Sequence, residues 1–340
     1  IFSGDEGSWL RVYDARSGEE DRNRPHTYGQ AVTDISISPS GRAVLSTVGS
    51  CLYFDIEGLT DISRFGGGYL LNIWSAAIGM SGHAALVGTT DGLLGLLNLE
   101  SQAEIRRFGI GVPPIALAIS PDGRYLLTGN VAQQRGEATL WNLATGTQVH
   151  QLNVRDSTSI FDVAFSPDGK YAFLAASNFM GEPDAPSRVV LWDVATGEEV
   201  RRFDSEISGW TLSVAVSPDG RQMLTSSASM AQDRVQGGLI LWDVATGQRI
   251  RQFTTENTGS VVFSADGTRA LSGTYWGSDG HVSLWDVATG REIRRFEGGH
   301  NPGDAAFSVA FGPGETTVIS GSADSTLAVW DAETGKILRR

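Results

Sequence analysis

Residues that carry enzyme chemistry are sparse in this sequence. No two of its five histidines have the spacing of a metal-binding pair. They are His26, His83, His150, His281 and His300. No Gly-x-Ser-x-Gly nucleophile motif and no phosphate-binding loop occurs. The sequence therefore predicts no catalytic residue, no metal site and no cofactor.

The single cysteine, Cys51, excludes a disulfide-stabilised scaffold, because one thiol cannot form an internal bridge. Cys51 is predicted to be a structural or surface thiol between the second and third strands of its repeat. A lone cysteine is compatible with the cytoplasm, which is the predicted location.

The charge balance excludes further classes of protein. The 340 residues carry 26 basic and 39 acidic side chains, which gives a net charge of −13. Nucleic-acid binders need clustered Lys and Arg for phosphate contacts, so no nucleic-acid partner is predicted. No apolar run approaches the ~18 residues of a membrane-spanning helix, so no membrane partner is predicted either.

A repeated unit organises the whole chain. Leu-Trp-Asp-Val-Ala-Thr-Gly occurs three times, at 191–197, 241–247 and 284–290. Looser or degenerate copies begin at Val12, Tyr53, Leu96, Leu140 and Val329. The eight units lie about 45 residues apart, which is the length of a four-stranded propeller blade.

A second motif lies between these units and ends in a tight turn. It reads Val-Ala-Phe-Ser-Pro-Asp-Gly at 163–169. Period-two alternation predicts a strand, and Pro followed by Asp-Gly supplies the backbone angles of a reversal. Each unit is therefore predicted to be four antiparallel strands, here called a to d in chain order. Variants of the motif lie at 35–41, 76–82, 117–123, 214–220, 261–267 and 309–315.

Strand d carries paired arginines at 106–107, 201–202, 294–295 and 339–340. These pairs could form an anion-binding rim. Acidic neighbours such as Glu199 and Glu292 favour a different interpretation, in which an outer strand is charged so that it does not pair with strands of other molecules.

The two motifs resemble those of the WD-repeat β-propellers, in particular the regular bacterial type with SPDG and WDVATG repeats. The resemblance covers essentially the whole chain and implies an all-β propeller of four-stranded antiparallel blades. Only Gly299-His300 matches the Gly-His pair that often precedes strand a in the family. The family's His–Ser/Thr–Asp–Trp hydrogen-bond chain is therefore expected to be mostly absent, and packing is expected to supply the rigidity of the blades.

Eight blades are predicted, with seven as the alternative. The first residues, Ile1 to Gly4, match the end of strand b in the last unit, Val318 to Gly321, so the first unit is expected to lack strand a. A seven-bladed ring would leave three spare strands with an exposed edge. Residues 1–340 are predicted to form a single propeller that belongs to a longer multidomain chain.

In this architecture the a–b and c–d turns lie on one face, here the turn face, and the b–c and d–a loops lie on the other, here the loop face. The b–c loops at 130–138, 178–187, 228–238 and 274–280 are long and varied, and recognition normally uses such loops. Aromatic residues, which are enriched in binding hot spots, accumulate at this end. The alternative is that they plug the channel or pack under the loops. The predicted partner-binding residues are Tyr28, Tyr69, Trp74, Phe161, Phe179, Trp210, Tyr275, Trp276 and Phe307.

The sequence thus predicts a non-catalytic recognition module, a scaffold or sensor that binds a protein or peptide on its loop face. The net charge favours a basic partner. The resemblance also implies an attached signalling domain, because similar bacterial domains are joined to kinase, nucleotide-switch or protease-like domains.

Two alternatives stay open. One is a small-ligand sensor in the channel mouth, and the other is an enzyme at the same place. Asp34 and Asp162, at equivalent positions of strand a, could bind a cation or transfer a proton. The favoured interpretation of both carboxylates is the polar lining of a wet channel.

Overall fold

Alternating apolar stretches and tight turns build the same meander along the chain. Within the residues that the structure describes, the strands form seven sheets of four strands and one of three, with antiparallel neighbours. This confirms the all-β fold class. From residue 75 onward most side chains are described as well. The computed structural model describes residues 2–4, 9–12, 26–27, 32–37, 42–47, 50–55, 60–65, 73–78, 84–89, 91–98, 101, 103–130, 136–154, 157–178, 186–229, 237–275, 280–299, 305–322 and 327–339.

The sheets are numbered I to VIII in chain order. Sheet I contains β1 (Phe2–Gly4), β2 (Trp9–Val12) and β3 (His26–Thr27). Sheet II contains β4 (Val32–Ile37), β5 (Arg42–Thr47), β6 (Ser50–Asp55) and β7 (Thr60–Phe65). Sheet III contains β8 (Ile73–Ile78), β9 (Ala84–Thr89), β10 (Leu93–Asn98) and β11 (Glu104–Gly109). Sheet IV contains β12 (Pro114–Ile119), β13 (Tyr125–Asn130), β14 (Gly136–Asn142) and β15 (Thr147–Val154).

The second half of the chain repeats this unit. Sheet V contains β16 (Ser159–Phe165), β17 (Tyr171–Ser177), β18 (Pro186–Asp193) and β19 (Glu199–Ser208). Sheet VI contains β20 (Trp210–Val216), β21 (Gln222–Ala228), β22 (Gly238–Asp243) and β23 (Arg249–Thr254). Sheet VII contains β24 (Thr258–Phe263), β25 (Arg269–Thr274), β26 (Val282–Asp286) and β27 (Glu292–Phe296). Sheet VIII contains β28 (Ala306–Phe311), a 3-10 turn (Pro313–Glu315), β29 (Thr317–Ser322), β30 (Leu327–Asp331) and β31 (Ile337–Arg339).

The arrangement of the sheets is propeller-like. In each four-stranded sheet the strands pair in chain order, so strands a and d form its two edges. The a strands of consecutive sheets lie against one another from β4 to β28, which places them on the inner side and the d strands on the outer side. Sheet I has three strands, in the positions predicted for b, c and d of the first unit. The number of blades in the closed ring stays a prediction.

The core lies between the faces of neighbouring sheets. Leu127 and Leu140 of sheet IV pack in one buried cluster with Val163 and Leu174 of sheet V. Strand b is buried along nearly its whole length, because successive residues face the two neighbouring sheets: Leu174 packs with sheet IV and Phe173 with sheet VI. Burial of this apolar area is the main driving force of the fold. Aromatic pairs join the outer strands to the next sheet, as when Phe203 lies edge-on to Trp242 with 5.9 Å between ring centres.

The Ser-Pro-Asp-Gly turns are stabilised by hydrogen bonds to the aspartate and by the positive φ of the glycine. In sheet IV the hydroxyl of Ser120 donates to Asp122 Oδ1 at 2.6 Å, and the same oxygen accepts from the backbone nitrogen of Arg124 at 3.0 Å. Gly123 follows with φ of +70°, which a residue with a side chain rarely adopts. Sheets V, VI and VII repeat this geometry.

Some predicted boundaries differ from the observed ones. Strand β14 begins at Gly136 and β18 begins at Pro186, so the loops predicted at 130–138 and 178–187 are shorter than expected. Cys51 lies inside β6, the third strand of its sheet, rather than between two strands. In all three strands, antiparallel pairing extends into residues whose sequence is typical of loops.

One link of the family's hydrogen-bond chain is present in three sheets. The indole nitrogens of Trp141, Trp242 and Trp285 donate to hydroxyls on strand b of the same sheet. Thr or Ser therefore satisfies these three indoles without a histidine.

Candidate partner-binding site at the channel mouth

A β-bulge interrupts strand a of every four-stranded sheet that the structure describes. In each case the pairing with strand b skips one residue near the loop-face end, or two in sheet VII. A bulge leaves a residue out of the ladder and re-aims its side chain, which is why bulges are frequent at binding sites. The skipped residues are Thr33, Trp74, Ile115, Phe161, Leu212, Gly259 with Ser260, and Phe307.

Three of the bulged residues have described large side chains, and all three are half-buried. They are Ile115, Phe161 and Leu212, on the inner strands of three consecutive sheets. Because strand a is the inner strand, these three residues lie on the inner side of the sheets near their loop-face ends, and they are here called the bulge arc.

The structure brings together two of the predicted binding residues. The rings of Phe161 in sheet V and Trp210 in sheet VI lie 6.4 Å apart between centres, at an angle of 38°. Both residues are half-buried. Together they extend the bulge arc across the seam between two sheets.

Gly209 sets the position of Trp210. Its φ is +135°, and a Cβ at this position would collide with the carbonyl oxygen of Ala228. The chain can therefore pass from β19 into β20 close to the end of β21 only because residue 209 has no side chain.

Tyr275 lies in a part of the loop face that is held by hydrogen bonds to Asn257. Its backbone nitrogen donates to the carbonyl of Asn257 at 2.9 Å. The Asn257 side chain in turn accepts from the backbone nitrogen of Ser229 at 3.0 Å and donates to its carbonyl at 3.1 Å. Burial raises the pKa of the Tyr275 phenol, which keeps it protonated and able to donate.

A charged cluster lies beside this loop. His281 Nε2 is 3.2 Å from Glu256 Oε2, and Arg295 Nη2 is 3.7 Å from Glu256 Oε1. Burial, followed by the neighbouring Arg295 charge, lowers the pKa of His281, while Glu256 opposes that shift. The neutral imidazole therefore positions Glu256, and Arg295 supplies the balancing charge.

Both carboxylate oxygens of Asp162 accept hydrogen bonds within the fold. Its Oδ1 accepts from the backbone nitrogen of Val163 at 2.8 Å. Its Oδ2 accepts from the Ser213 hydroxyl and from the Val214 nitrogen, both at 2.9 Å. These bonds join sheets V and VI, so the carboxylate that was considered for cation binding or acid–base work is an inter-sheet joint. The side chain of Asp34, its counterpart in β4, lies outside the described residues.

The other predicted binding residues divide into two groups. Trp74 and Phe307 lie at the bulges of β8 and β28, and their side chains are not among the described ones. The remaining ones fall wholly outside the described residues, namely Tyr28, Tyr69, Phe179 and Trp276.

Ile115 and Leu212 belong to the bulge arc but are not among the predicted binding residues, which are all aromatic. A signal was present, because both lie five residues before the serine that opens the a–b turn, as Phe161 does. Position in the repeat, rather than residue type, identifies the bulge.

Comparison with known proteins agrees with this architecture. The family model described as WD domain, G-beta repeat, matches residues 247–286 and 290–331. No curated protein sequence matches the chain significantly. A solved structure described as Kuenenia stuttgartiensis Hydrazine Synthase is similar in fold, with a TM-score of 0.76 and 15% sequence identity. The match covers 89% of this chain and 96% of that one, and at this identity it shows the fold alone.

Two kinds of feature are absent from the part of the chain that the structure describes. It contains no helix long and apolar enough to cross a membrane. It also contains no group of three His, Cys, Asp or Glu side chains that could hold a metal ion. Residues 247–331 thus carry WD repeats, in a chain whose four-stranded sheets have a propeller-like arrangement.

Proposed function

We propose that this chain is a protein-recognition module that binds a protein or peptide partner on its loop face, around the channel mouth. The observation that carries the proposal is the half-buried pair of Phe161 and Trp210, in line with Ile115 and Leu212 of the bulge arc. Rigid aromatic groups beside aliphatic ones, exposed on a fixed scaffold, are typical anchors of protein interfaces.

The proposal includes a preference for basic partners. The chain carries a net charge of −13, and Glu256 is held at the loop face with 41% of its side chain exposed. Long-range attraction of this kind accelerates encounter with a positively charged surface more than it tightens the final complex.

We propose no catalytic role. The one carboxylate of the channel wall that has a described environment, Asp162, uses both of its oxygens in the joint between sheets V and VI. The similar solved structure is named after an enzyme, but a likeness at 15% identity does not transfer an activity.

Quantitative affinity capture from a native lysate tests the proposal. The double variant Phe161→Ala and Trp210→Ala should lose most of the proteins that the wild type retains, because hot-spot truncations cost about 2 kcal/mol or more each. The triple variant Trp74→Ala, Trp210→Ala and Trp276→Ala should behave in the same way.

The control removes exposed apolar surface elsewhere. Ile105 and Ile250 lie on outer strands and are 52% and 45% exposed, so the double variant Ile105→Ala and Ile250→Ala should retain the same proteins. Unchanged capture by both aromatic variants would rule out the loop face. A metabolite that raises the melting temperature of the wild type but not of the aromatic variants would point to a small-ligand sensor instead.

A further inference from the structure

Sheet VIII departs from the repeat at several positions, and these departures meet at one place. The c–d turn that reads Asp-Val-Ala-Thr-Gly in sheets V, VI and VII reads Asp-Ala-Glu-Thr-Gly here, so Ala332 and Glu333 replace Val and Ala. The a–b turn reads Gly-Pro-Gly-Glu instead of Ser-Pro-Asp-Gly, which introduces Glu315. On the neighbouring sheet VII, Arg269 opens strand b, where Tyr or Gln stands in sheets IV to VI.

These residues line an open groove of about 480 Å³ between sheets VII and VIII on the turn face. The apolar part of its wall contains Leu284, Ile293 and Ala332. Ile293 is 48% exposed, and it is the residue that pairing between β26 and β27 skips. Ala332 is smaller than the Val that occupies its place in the three preceding turns.

Glu315 links the two walls of the groove. Its carboxylate accepts from Arg269 Nη2 at 2.6 Å and from the backbone nitrogen of Ala265, both in sheet VII. Glu315 has a φ of +57°, the one positive φ among the described residues other than glycine. Such a conformation costs free energy, and the bonds to sheet VII offset that cost.

The charged groups that line the groove are engaged, with one exception among the described residues. Arg269 is paired with Glu315, and Arg294 Nη1 donates to the carbonyl of Thr334 at 2.9 Å. Asp331 accepts from the backbone nitrogen and the hydroxyl of Thr334. Glu333 is exposed, and no described residue bonds to its carboxylate. The rim of the groove therefore carries, at Glu333, a carboxylate without an ion-pair partner among the described residues.

We propose that this groove binds a lysine or arginine side chain from a basic segment of a protein partner. The aliphatic stem lies along the exposed Ile293, and the cationic head lies at Glu333. Long basic side chains bury their stems on apolar surface while the charge stays in water, which is the chemistry this groove matches. The site is on the face opposite the bulge arc, so it is independent of the function proposed above.

Methyl NMR of the whole 340-residue chain can test the groove directly, because two isoleucines report on two seams. Ile293 lies in the groove, and Ile250 is the equivalent exposed residue at the seam between sheets VI and VII. The probe is acetyl-Ala-Lys-Ala-amide, with acetyl-Ala-norleucine-Ala-amide as the uncharged analogue. The Ile293 methyl signals should shift saturably with the lysine peptide, and the Ile250 signals should not.

Two variants restore the common repeat sequence and so keep the turn. Glu333→Ala should weaken the binding of the lysine peptide about two- to fivefold, the usual effect of one exposed ion pair. Ala332→Val should weaken the binding of both peptides, because the larger side chain occupies part of the groove beside Ile293. Ala288→Glu, at the matched position of the preceding turn, should not make Ile250 respond, since Val287 still closes that seam.

Several outcomes would overturn the proposal. One is an equal shift of Ile293 and Ile250, which would mean non-specific attraction to an acidic protein. Another is binding that Glu333→Ala and Ala332→Val leave unchanged while their melting temperatures match the wild type. Equal displacement of the peptide by free spermidine at the same amine concentration would show that small polyamines, rather than a protein segment, fit the groove.

Discussion

A hydroxyl on strand b accepts a hydrogen bond from the buried indole in sheets VI and VII. Trp242 Nε1 donates to Thr225 Oγ1 at 2.9 Å, and Trp285 does the same to Ser272 at 2.8 Å. Sheet V has Leu174 at the equivalent position of strand b, and Trp192 Nε1 has no hydrogen-bond partner among the described residues. Burial of an unpaired donor costs free energy, so sheet V lacks a contribution that sheets VI and VII have.

Thr225→Val should therefore destabilise the protein. The variant keeps the shape of the side chain but leaves the Trp242 indole without its acceptor, which should lower the free energy of unfolding by about 1–3 kcal/mol. Thr225→Ser is the control, because it keeps the hydroxyl and should cost less than the Val variant. Urea denaturation at neutral pH measures both. Equal stability of the Val variant and the wild type would show that the bond contributes nothing.

The aspartates of the tight turns make stability depend on acid pH. Hydrogen bonds from Ser264, from the backbone of Thr268 and from its hydroxyl lower the pKa of Asp266 from 3.8 to about 2. A depressed pKa means that the contribution is complete above about pH 4 and is lost as the pH falls toward 2. The pKa values of Asp122, Asp168 and Asp219 are lowered in the same direction, chiefly by the serine of each turn.

Asp266→Asn should reduce this acid sensitivity. The difference in melting temperature between wild type and variant should be constant above about pH 4 and should shrink between about pH 4 and pH 2. The amide still accepts hydrogen bonds but does not titrate in this range. Thermal unfolding followed by circular dichroism across this acid range and up to neutral pH provides the measurement. A difference that stays constant down to the lowest pH would contradict the lowered pKa.

At the scale of the elements, the outer strands are joined by arginines whose role the sequence does not reveal. Arg106, Arg201, Arg251 and Arg294 each reach from strand d to carbonyl oxygens in the c–d turn of the next sheet. In sheet IV, His150 takes this position, with Nε2 at 3.2 Å from the carbonyl of Ala195. The second arginine of each described pair instead bonds to a glutamate three residues earlier. These four arginines thus connect neighbouring sheets. That role differs from both interpretations of the sequence, an anion-binding rim and a charge that prevents the outer strand from pairing.

Arg201→Ala and Arg202→Ala separate these two roles on one strand. Arg201→Ala removes bonds from a cation to Val244 and Ala245 of sheet VI, and we expect a loss of about 1–2 kcal/mol after allowance for partial exposure. Arg202→Ala removes only a surface pair with Glu199 and should cost about 0–1 kcal/mol. Chemical denaturation gives both values, and hydrogen exchange at residues 244–247 should increase in the Arg201 variant alone. A larger loss in the Arg202 variant would reverse the assignment.

At the scale of the whole molecule, glycines on strand b set the distance between sheets. A Cβ at Gly273 would collide with the carbonyl oxygen of Ala306, on the inner strand of the next sheet. Gly88 and Gly129 face strand a of their next sheets in the same way, at Pro114 and Ile160. Close packing at these three seams therefore requires glycine, whereas the equivalent residues of sheets V and VI are Ala175 and Ser226.

Gly273→Ala should loosen the seam between sheets VII and VIII. The added methyl group meets backbone, which cannot give way cheaply, so the free energy of unfolding should fall by about 1–3 kcal/mol. Gly321→Ala is the matched control at the same position of sheet VIII, since no described atom lies within 4 Å of its Cβ, and it should be nearly neutral. Thermal unfolding of the two variants tests the comparison. Similar losses in both would show that the effect belongs to strand b itself and not to the seam.

The sequence by itself determined the repeating unit and its turns. Alternating apolar residues, Ser-Pro-Asp-Gly and Trp-Asp-Val-Ala-Thr-Gly act over a few residues, so they specify four antiparallel strands wherever they recur. They also led to the prediction that Phe161 and Trp210 lie near the channel mouth, and the structure adds a ring contact between these two side chains.

Only the tertiary structure decided how the units meet. The bulges that expose Ile115 and Leu212, the arginines that cross to the next turn, and the groove at Ile293 all depend on pairing register and on the distance between sheets. Those quantities arise from contacts between residues roughly one repeat apart in the chain. Local sequence patterns do not encode them, because a bulge or a seam forms only when two strands, or two sheets, are packed together.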